Sequence, residues 1–437
     1  MHRWAYFSPM RVLLPILLLA MVTATACRKE RADRPPTVEI LLPGPSATFS
    51  VPGQLLVRAS VSDDHQVDNV VFALTDANGA PIAPPVVAHV GSSSTTIERE
   101  IEVTDERILS GTYTVNVRAI AGDDQRQAFR SINVLEAPLR LRALFITPPE
   151  GTTGSILRID STGNVDTWGS VGSMSVAAIN SNSQHIYLSD GTHGPLVASP
   201  TAGWSMPWQV SNANSENTPY FTSIRVDPTD GRLYVSTNDG FVRGYLGQGG
   251  QGFTAQAQPG YRPYRQVVVG DRVLVELRGI SFPERRLGVF TLVGGNFLNH
   301  WALGTELVAL FPRSAQAALL FGNRDGDGVV QEHFVNTGGS NDMRVFSGRP
   351  IRAVERLHAN SFAIALQGQV VRYDLPGNTA VPIAAITADA LAYEAATGTL
   401  YIGAGNELIL ADPNTGTISS ATGLPGPIGS ILPLLNR

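Results

Sequence analysis

Apolar and polar residues alternate along the chain from residue 37 to about residue 135. The clearest examples are residues 96–103 (TIEREIEV) and residues 111–119 (GTYTVNVRA). Such alternation is typical of a β-strand with one face buried and the other in water. Similar runs occur at 38–41, 55–61, 67–74 and 128–135. About seven short strands in about 100 residues predict a two-layer β-sandwich, which we place at residues 37–136.

A longer pattern repeats from residue 141 to the end of the chain. Each unit has an apolar strand, a polar turn and a second strand, in which Tyr187, Tyr234 or Tyr401 stands between apolar residues in the clearest copies. With the weaker copies, the units begin near residues 174, 222, 265, 307, 351 and 389. A repeat of about 40–50 residues built of short strands is typical of β-propeller blades. The pattern predicts a propeller over residues 141–437.

The two ends of this region predict one further blade. Residues 428–435 read as a single apolar strand, and three strands at 142–147, 155–160 and 164–168 precede the first full unit. Pairing the last strand with these three would close the ring, and a blade buries its apolar faces only against neighbouring blades. The expected fold is therefore all-β, a sandwich followed by a seven-bladed propeller, with six or eight blades left open.

Both regions resemble known modules. Residues 37–136 resemble bacterial Ig-like and fibronectin type III-like modules, and Tyr113 resembles the tyrosine-corner residue of that class; it could equally be an ordinary strand aromatic. The later repeats resemble YVTN and quinoprotein-like propeller repeats, through Asp-Thr-Gly hairpins such as residues 158–168 and 410–417. The resemblance implies the fold and leaves the function open, because propellers carry many functions.

The N-terminus predicts export and a lipid anchor. A basic start with Arg3 and Arg11 is followed by an apolar run at 12–22 and then by small residues, as in a secretory signal peptide at residues 1–26. The segment 24–27 (ATAC) resembles a bacterial lipobox, which implies acylation of Cys27, although ordinary cleavage at the same bond is an alternative. Residues 27–36 would then be a lipid-anchored tether. No aspartate follows the cysteine, which favours the outer membrane.

Composition narrows the function. The net charge is −5, and removal of Arg3 and Arg11 with the leader makes it −7, which does not suit a nucleic-acid partner. Cys27 is the only cysteine, so an internal disulfide is excluded. The sequence contains no HExxH, GxSxG or P-loop motif. We therefore expect no catalytic residues and no cofactor other than a structural Ca²⁺ ion.

Three acidic segments form two candidate Ca²⁺ sites. Residues 323–332 (NRDGDGVVQE) resemble an oxygen-rich calcium loop, in which Asn323, Asp325, Asp327 and Glu332 would supply ligands; a polar hairpin is the alternative. In the sandwich, Asp63-Asp64 and Asp123-Asp124 lie in loops that would share one end of an Ig topology. They could hold Ca²⁺ or simply form a solvated acidic end.

The aromatic residues Trp204, Trp208 and Tyr220 suggest a binding surface on the propeller rim, with packing between blades as the alternative. These observations favour a non-catalytic cell-envelope lipoprotein that serves as a binding or scaffold platform for a protein or glycan partner. The alternative is an envelope enzyme, a lyase or hydrolase of polysaccharide, which would need several titratable residues in a central propeller pocket.

Overall fold

The computed structural model describes residues 34–437, and in that range the regular structure is β-strand. The predicted all-β fold is thereby confirmed. Residues 34–437 contain no helix of the length and hydropathy needed to cross a membrane. The chain divides into two compact units, one ending at Ala137 and one running from Pro138 to Arg437. The predicted signal peptide and Cys27 lie outside the described residues.

The first unit is a sandwich made from one folded sheet. Its strands are β1 (Thr37–Leu42), β2 (Thr48–Ser50), β3 (Gly53–Thr75), β4 (Val86–Val103), β5 (Gly111–Ala121) and β6 (Asp124–Leu135). They are ordered β1-β3-β5-β6-β2, with β4 also paired to β3. All pairs are antiparallel except β2 with β6. Inward-facing residues from both halves of the sheet, among them Val57, Phe72 and Ile132, form a single core.

The strands predicted at 55–61 and 67–74 form one continuous strand, β3. The first half of β3 pairs with β1 and its second half with β5, while β4 runs beside both halves. The register with β4 shifts between Ser62 and Val67, so that a bulge takes up the polar residues where the sequence suggested a loop. Residues 34–137 therefore contain six strands, against the seven or so expected.

Tyr113 lies on β5 and its hydroxyl donates a hydrogen bond to the backbone oxygen of Leu109 at 3.1 Å. A tyrosine whose hydroxyl bonds to the backbone a few residues upstream is the tyrosine corner of Ig-like sandwiches. The structure thus supports this interpretation over that of an ordinary strand aromatic.

The second unit consists of seven four-stranded antiparallel sheets within residues 141–435. The sheet built from both ends of the unit contains β34 (Ser430–Leu435), β7 (Leu141–Thr147), β8 (Gly154–Asp160) and β9 (Val165–Val171). The next sheet contains β10 (Met174–Asn180), β11 (His185–Asp190), β12 (Leu196–Pro200) and β13 (Trp208–Val210). It is followed by a sheet of β14 (Phe221–Val226), β15 (Leu233–Thr237), β16 (Phe241–Tyr245) and β17 (Gln251–Gln256). The sheet after that contains β18 (Tyr261–Val269), β19 (Arg272–Gly279), β20 (Arg285–Thr291) and β21 (Phe297–Ala302).

The remaining three sheets follow in chain order. The first of them contains β22 (Glu306–Ser314), β23 (Ala317–Arg324), β24 (Asp327–Phe334) and β25 (Ser340–Phe346). The second contains β26 (Ile351–His358), β27 (Ser361–Leu366), β28 (Gln369–Asp374) and β29 (Thr379–Ala384). The third contains β30 (Ala390–Glu394), β31 (Thr399–Ala404), β32 (Glu407–Ala411) and β33 (Ile418–Gly423). Each sheet after the first thus begins within a few residues of a start read from the sequence repeat.

The first strand of each sheet in this order is its innermost strand, and each innermost strand lies beside those of the adjacent sheets. β34 pairs antiparallel with β7, in a register that joins Ile431 to Ile146 and Leu434 to Ala143. It also lies against β30 and β10, the innermost strands on either side. The first and last parts of the unit are therefore hydrogen-bonded within one sheet.

The second strand of each sheet is buried along most of its length. Tyr187, Tyr234 and Tyr401 of the repeat are at most 6% exposed, and Phe321 occupies the second strand of a copy that lacks the tyrosine. The residues directly before and after each of these tyrosines, which point to the opposite face, are also buried, because both faces of a blade are covered by other blades. The sequence repeat is thus a repeat of core positions.

Candidate functional site

The innermost strands of the propeller line two cavities that share the residues Ser223, Ile224, Arg265 and Val308. The first, of about 570 Å³, lies among β14, β18, β22 and β26. We name it the arginine recess, because Arg225, Arg265 and Arg356 line it together with Glu355 and Asp227. The second, of about 550 Å³, is lined by Glu150, Tyr264, Arg278, Glu306 and Asn323, among others.

The free edge of β22 holds the three arginines of the recess. β22 pairs only with β23 among the described strands, so its other edge carries unpaired carbonyl groups. Arg265 donates from Nε to the Val308 oxygen at 2.8 Å, and Arg225 donates from Nη1 to the Leu310 oxygen at 2.6 Å. Arg356 donates from Nη2 to the Pro312 oxygen. Because alternate residues of a strand direct their carbonyls to the same edge, the three guanidinium groups are held in a row.

Aromatic rings and a buried carboxylate complete the support of these arginines. The guanidinium groups of Arg225 and Arg356 lie 5.5 and 5.3 Å from the ring centre of Phe311. Glu276, whose side chain is 0% exposed, forms ion pairs with Arg278 at 2.8 Å and with Arg265 at 3.5 Å. Glu276 therefore links the arginines of the two cavities.

Glu355 has an unusual environment for a carboxylate. Arg225 and Arg356 favour its charged form through space, and so does the backbone N–H of Arg356, but no ion pair between it and either arginine is present in residues 34–437. Burial outweighs these effects and raises the pKa of Glu355 from 4.5 to about 7. Burial likewise lowers the pKa of Arg225 and of Arg356. The recess thus holds charges that the protein neutralises only in part.

This environment predicts the pH dependence of stability. A carboxyl group with a raised folded-state pKa binds its proton more tightly when folded, so its contribution is fully present below pH 4.5 and is lost as the pH rises through about 7. We expect Glu355→Gln to increase the free energy of unfolding at pH 8 by about 2 kcal/mol. Urea denaturation at pH 4.5 and at pH 8 measures this; an equal effect at both values would contradict the assignment.

The structure does not bring the four predicted calcium ligands together. Asp325 and Gly326 form a two-residue hairpin turn with φ of 52° and 89°, closed by the pair Arg324 and Asp327. Asn323 exchanges two hydrogen bonds with the backbone of Ile351, at 2.7 and 2.9 Å. Glu332 lies five residues after Asp327 on β24, which places the two residues about 17 Å apart at the usual rise of a strand. Its carboxylate forms an ion pair with Arg313. The geometry favours the polar hairpin.

Three of the four aspartates predicted at the acidic end of the sandwich, Asp63, Asp123 and Asp124, line one groove. Asp68, His65 and Gln66 line the same groove, whereas the predicted Asp64 is not among its lining residues. Asp68 accepts a hydrogen bond from the backbone N–H of Gly122 at 2.8 Å. Among residues 34–437, however, three or more histidine, aspartate or glutamate side chains are nowhere arranged to hold a metal ion. The groove is consistent with a solvated acidic end.

Of the three candidate rim aromatics, one is substantially exposed. Trp204 is 47% exposed and packs on Trp168 with ring centres 5.3 Å apart. Trp208 packs against Tyr187 and Tyr245 and donates from Nε1 to the Gly247 oxygen at 2.9 Å. Tyr220 is 3% exposed, and its hydroxyl donates to Asp239 at 2.8 Å. Trp208 and Tyr220 therefore serve packing between and within blades.

Sequence reasoning missed the arginine recess. Its signal was a charged residue inside an innermost strand that is otherwise apolar or small, as in residues 223–226 (SIRV) and 353–357 (AVERL). Several titratable groups meet in the recess, as the alternative of an envelope enzyme acting on polysaccharide requires. They are Arg225, Arg265, Arg356, Glu355 and Asp227.

Comparison with known protein families finds a match for the first unit. Residues 36–124 match the model of the bacterial Ig domain family. The bacterial Ig domain covers about a fifth of the chain and indicates a bacterial extracellular or envelope protein. Combined with a propeller, it suggests a binding or scaffold role. No curated protein has a matching sequence.

Solved structures with a similar fold include several propellers. A quinoprotein alcohol dehydrogenase-like protein from Bacteroides thetaiotaomicron is 13% identical, with a TM-score of 0.44, covering 92% of this chain and 99% of its own. The dihydro-haem d1 dehydrogenase NirN in complex with DHE is 10% identical, with a TM-score of 0.47, covering 72% of both chains. The Dos1 propeller is 12% identical, with a TM-score of 0.46, covering 67% of this chain and 89% of its own. These similarities concern the fold alone.

Proposed function

We propose that the protein is a non-catalytic lipoprotein of the bacterial cell envelope, in which the propeller binds a protein or glycan partner. The observation that carries this proposal is the row of arginines held by the carbonyls of Val308, Leu310 and Pro312. Such fixed, charged donors suit recognition, because little side-chain freedom is lost when a ligand binds. The N-terminal sequence supports anchoring through Cys27, with the outer membrane as the expected location.

The anchor is tested by comparing the wild type with Cys27→Ser in the native host. An acylated protein buries several acyl chains and enters the detergent-rich phase when a detergent extract of cells is warmed to separate. We expect the wild type in that phase and Cys27→Ser in the aqueous phase. Recovery of both proteins from the aqueous phase would contradict lipidation and leave an exported soluble protein.

The binding function is tested by affinity capture of the wild type from envelopes solubilised in mild detergent, followed by mass spectrometry and glycan analysis. We expect a stoichiometric partner, retained by Arg272→Gln and lost by Arg225→Gln. Arg272 is a suitable control because it does not line the recess and forms an ion pair with its neighbour Asp271 at 2.6 Å. If both variants retained the partner equally, the partner would bind elsewhere than at the recess.

Glu355 favours a second candidate function, an enzyme acting on polysaccharide through the recess. A carboxyl group with a pKa of about 7 can donate or accept a proton near neutral pH. Incubation with acidic and neutral polysaccharides, with measurement of new reducing ends, tests this alternative. Turnover that Glu355→Gln abolishes would replace the non-catalytic proposal.

A further inference from the structure

The arginine recess carries more donors than the protein uses. A guanidinium group has five N–H donors, and each bond to the edge of β22 uses one of them. Nε of Arg356 is buried without a hydrogen-bond partner in residues 34–437. Arg265 has the ion pair with Glu276, but Arg225 and Arg356 have no comparable carboxylate partner within the described chain.

The carboxylates that line the recess do not fill this deficit. Asp227 is 6% exposed, and its Oδ1 accepts a hydrogen bond from the backbone N–H of Thr229 at 2.8 Å, so it is engaged in its own turn. Glu355 is the other carboxylate of the lining. A partly buried cation without an opposite charge at contact distance is unfavourable. An anion that enters the recess would relieve this condition at two guanidinium groups.

We propose that the arginine recess binds a small ligand that carries a carboxylate or phosphate group, with Arg225 and Arg356 as the residues that hold the anion. The planar guanidinium group matches both anions through paired N–H donors. The volume of about 570 Å³ lies within the range of small-molecule sites. This inference rests on the proposed binding function and names the chemistry of its ligand.

Glu355 makes the binding dependent on pH. The charged groups around it are Arg356 on its own strand, Arg225 and Asp227 from β14 and the turn after it, and Arg265 from β18. An ionised Glu355 repels an incoming anion, whereas the protonated carboxyl can donate a hydrogen bond to it. Binding therefore favours the protonated form and takes up a proton when it starts from the ionised form.

The test is calorimetric titration of the detergent-purified full chain with glucuronate, with sulfate as a phosphate-like probe, and with glucose as the neutral control. Neither anion titrates between pH 6 and pH 8, so any pH effect belongs to the protein. We expect one or both anions to bind and glucose not to bind. Binding of sulfate alone assigns a phosphate-type ligand, and binding of glucuronate alone assigns a carboxylate.

Variants assign the binding to the recess. Arg225→Gln and Arg356→Gln are each expected to weaken binding about 10- to 100-fold, the usual effect of losing a charge-assisted hydrogen bond, while Arg272→Gln leaves it unchanged. Arg356→Lys keeps the charge but loses the planar fork, and it provides an intermediate effect if the glutamine variants fail to fold. For the wild type, affinity should rise about tenfold from pH 8 to pH 6, and Glu355→Gln should remove that rise.

Failure of both anions to bind, or equal binding by the wild type and a folded Arg356 variant, would overturn the inference. So would equal affinity for glucose and glucuronate. Capture of a partner from the envelope by a protein that binds neither anion would leave the binding function intact and remove only the anionic ligand. The two proposals thus fail separately.

Discussion

We expect a chain that ends at Gly429 to lose the folded propeller. The deletion removes β34, so β7 keeps only β8 as an antiparallel partner, and the innermost strands β30 and β10 lose the strand between them. Ile431 and Leu434, which are 5% and 4% exposed, leave the core. Truncating one such side chain typically costs about 2–5 kcal/mol. Losing both, together with the strand pairing, approaches the usual stability of about 5–15 kcal/mol for a domain.

Thermal unfolding followed by circular dichroism, with limited proteolysis, measures the loss. Point variants provide the matched control: Ile431→Ala and Leu434→Ala are expected to destabilise by about 2–4 kcal/mol each. Ile418→Ala, on the outermost strand β33 with 50% exposure, should change stability by less than about 0.5 kcal/mol. An unchanged cooperative transition in the truncated chain would mean that the ring does not depend on closure by β34.

The repeat could be read from the sequence because it reflects burial. Residues on the second strand of a blade pack against neighbouring blades on both faces, so apolar residues flank Tyr187, Tyr234 and Tyr401 whatever the rest of the unit contains. The first residues of the repeat units could be located in the sequence for the same reason. In the sandwich, the same reading separated residues 55–61 from 67–74, because a bulge and a loop have similar polar sequences.

The recess could not be read in the same way. Arg225 and Arg356 are separated by 131 positions in the sequence, and their proximity depends on how several blades meet. The aromatics show a related limit, because the glycine-rich turn at residues 247–252 packs against Trp208. At Gly249, with φ of 90°, a Cβ atom would lie 2.9 Å from the Trp208 side chain, so this glycine permits the close packing that covers part of Trp208.

Replacement of Glu276 by glutamine is expected to destabilise the propeller by about 3–5 kcal/mol, because it leaves partners of a buried carboxylate without their opposite charge. The Glu276 side chain is 0% exposed and binds Arg278 at 2.8 Å and Arg265 at 3.5 Å. Urea denaturation at pH 8 measures the change as a lower midpoint with an unchanged slope. Glu306→Gln is the matched control, since Glu306 is 52% exposed and pairs with Arg285 at 3.3 Å; it should change stability by about 1 kcal/mol or less.

The comparison with Glu355→Gln makes this prediction sharper. Both substitutions remove one negative charge among the arginines of the two cavities, yet they should change stability in opposite directions at pH 8. Glu276 is ionically bonded to two guanidinium groups, whereas Glu355 faces its arginines without direct ion pairing within residues 34–437. If the two glutamine variants shifted the midpoint in the same direction, net charge rather than local pairing would control the stability of the propeller. Opposite shifts would show that direct ion pairing, which Glu276 has and Glu355 lacks, decides the sign of the effect.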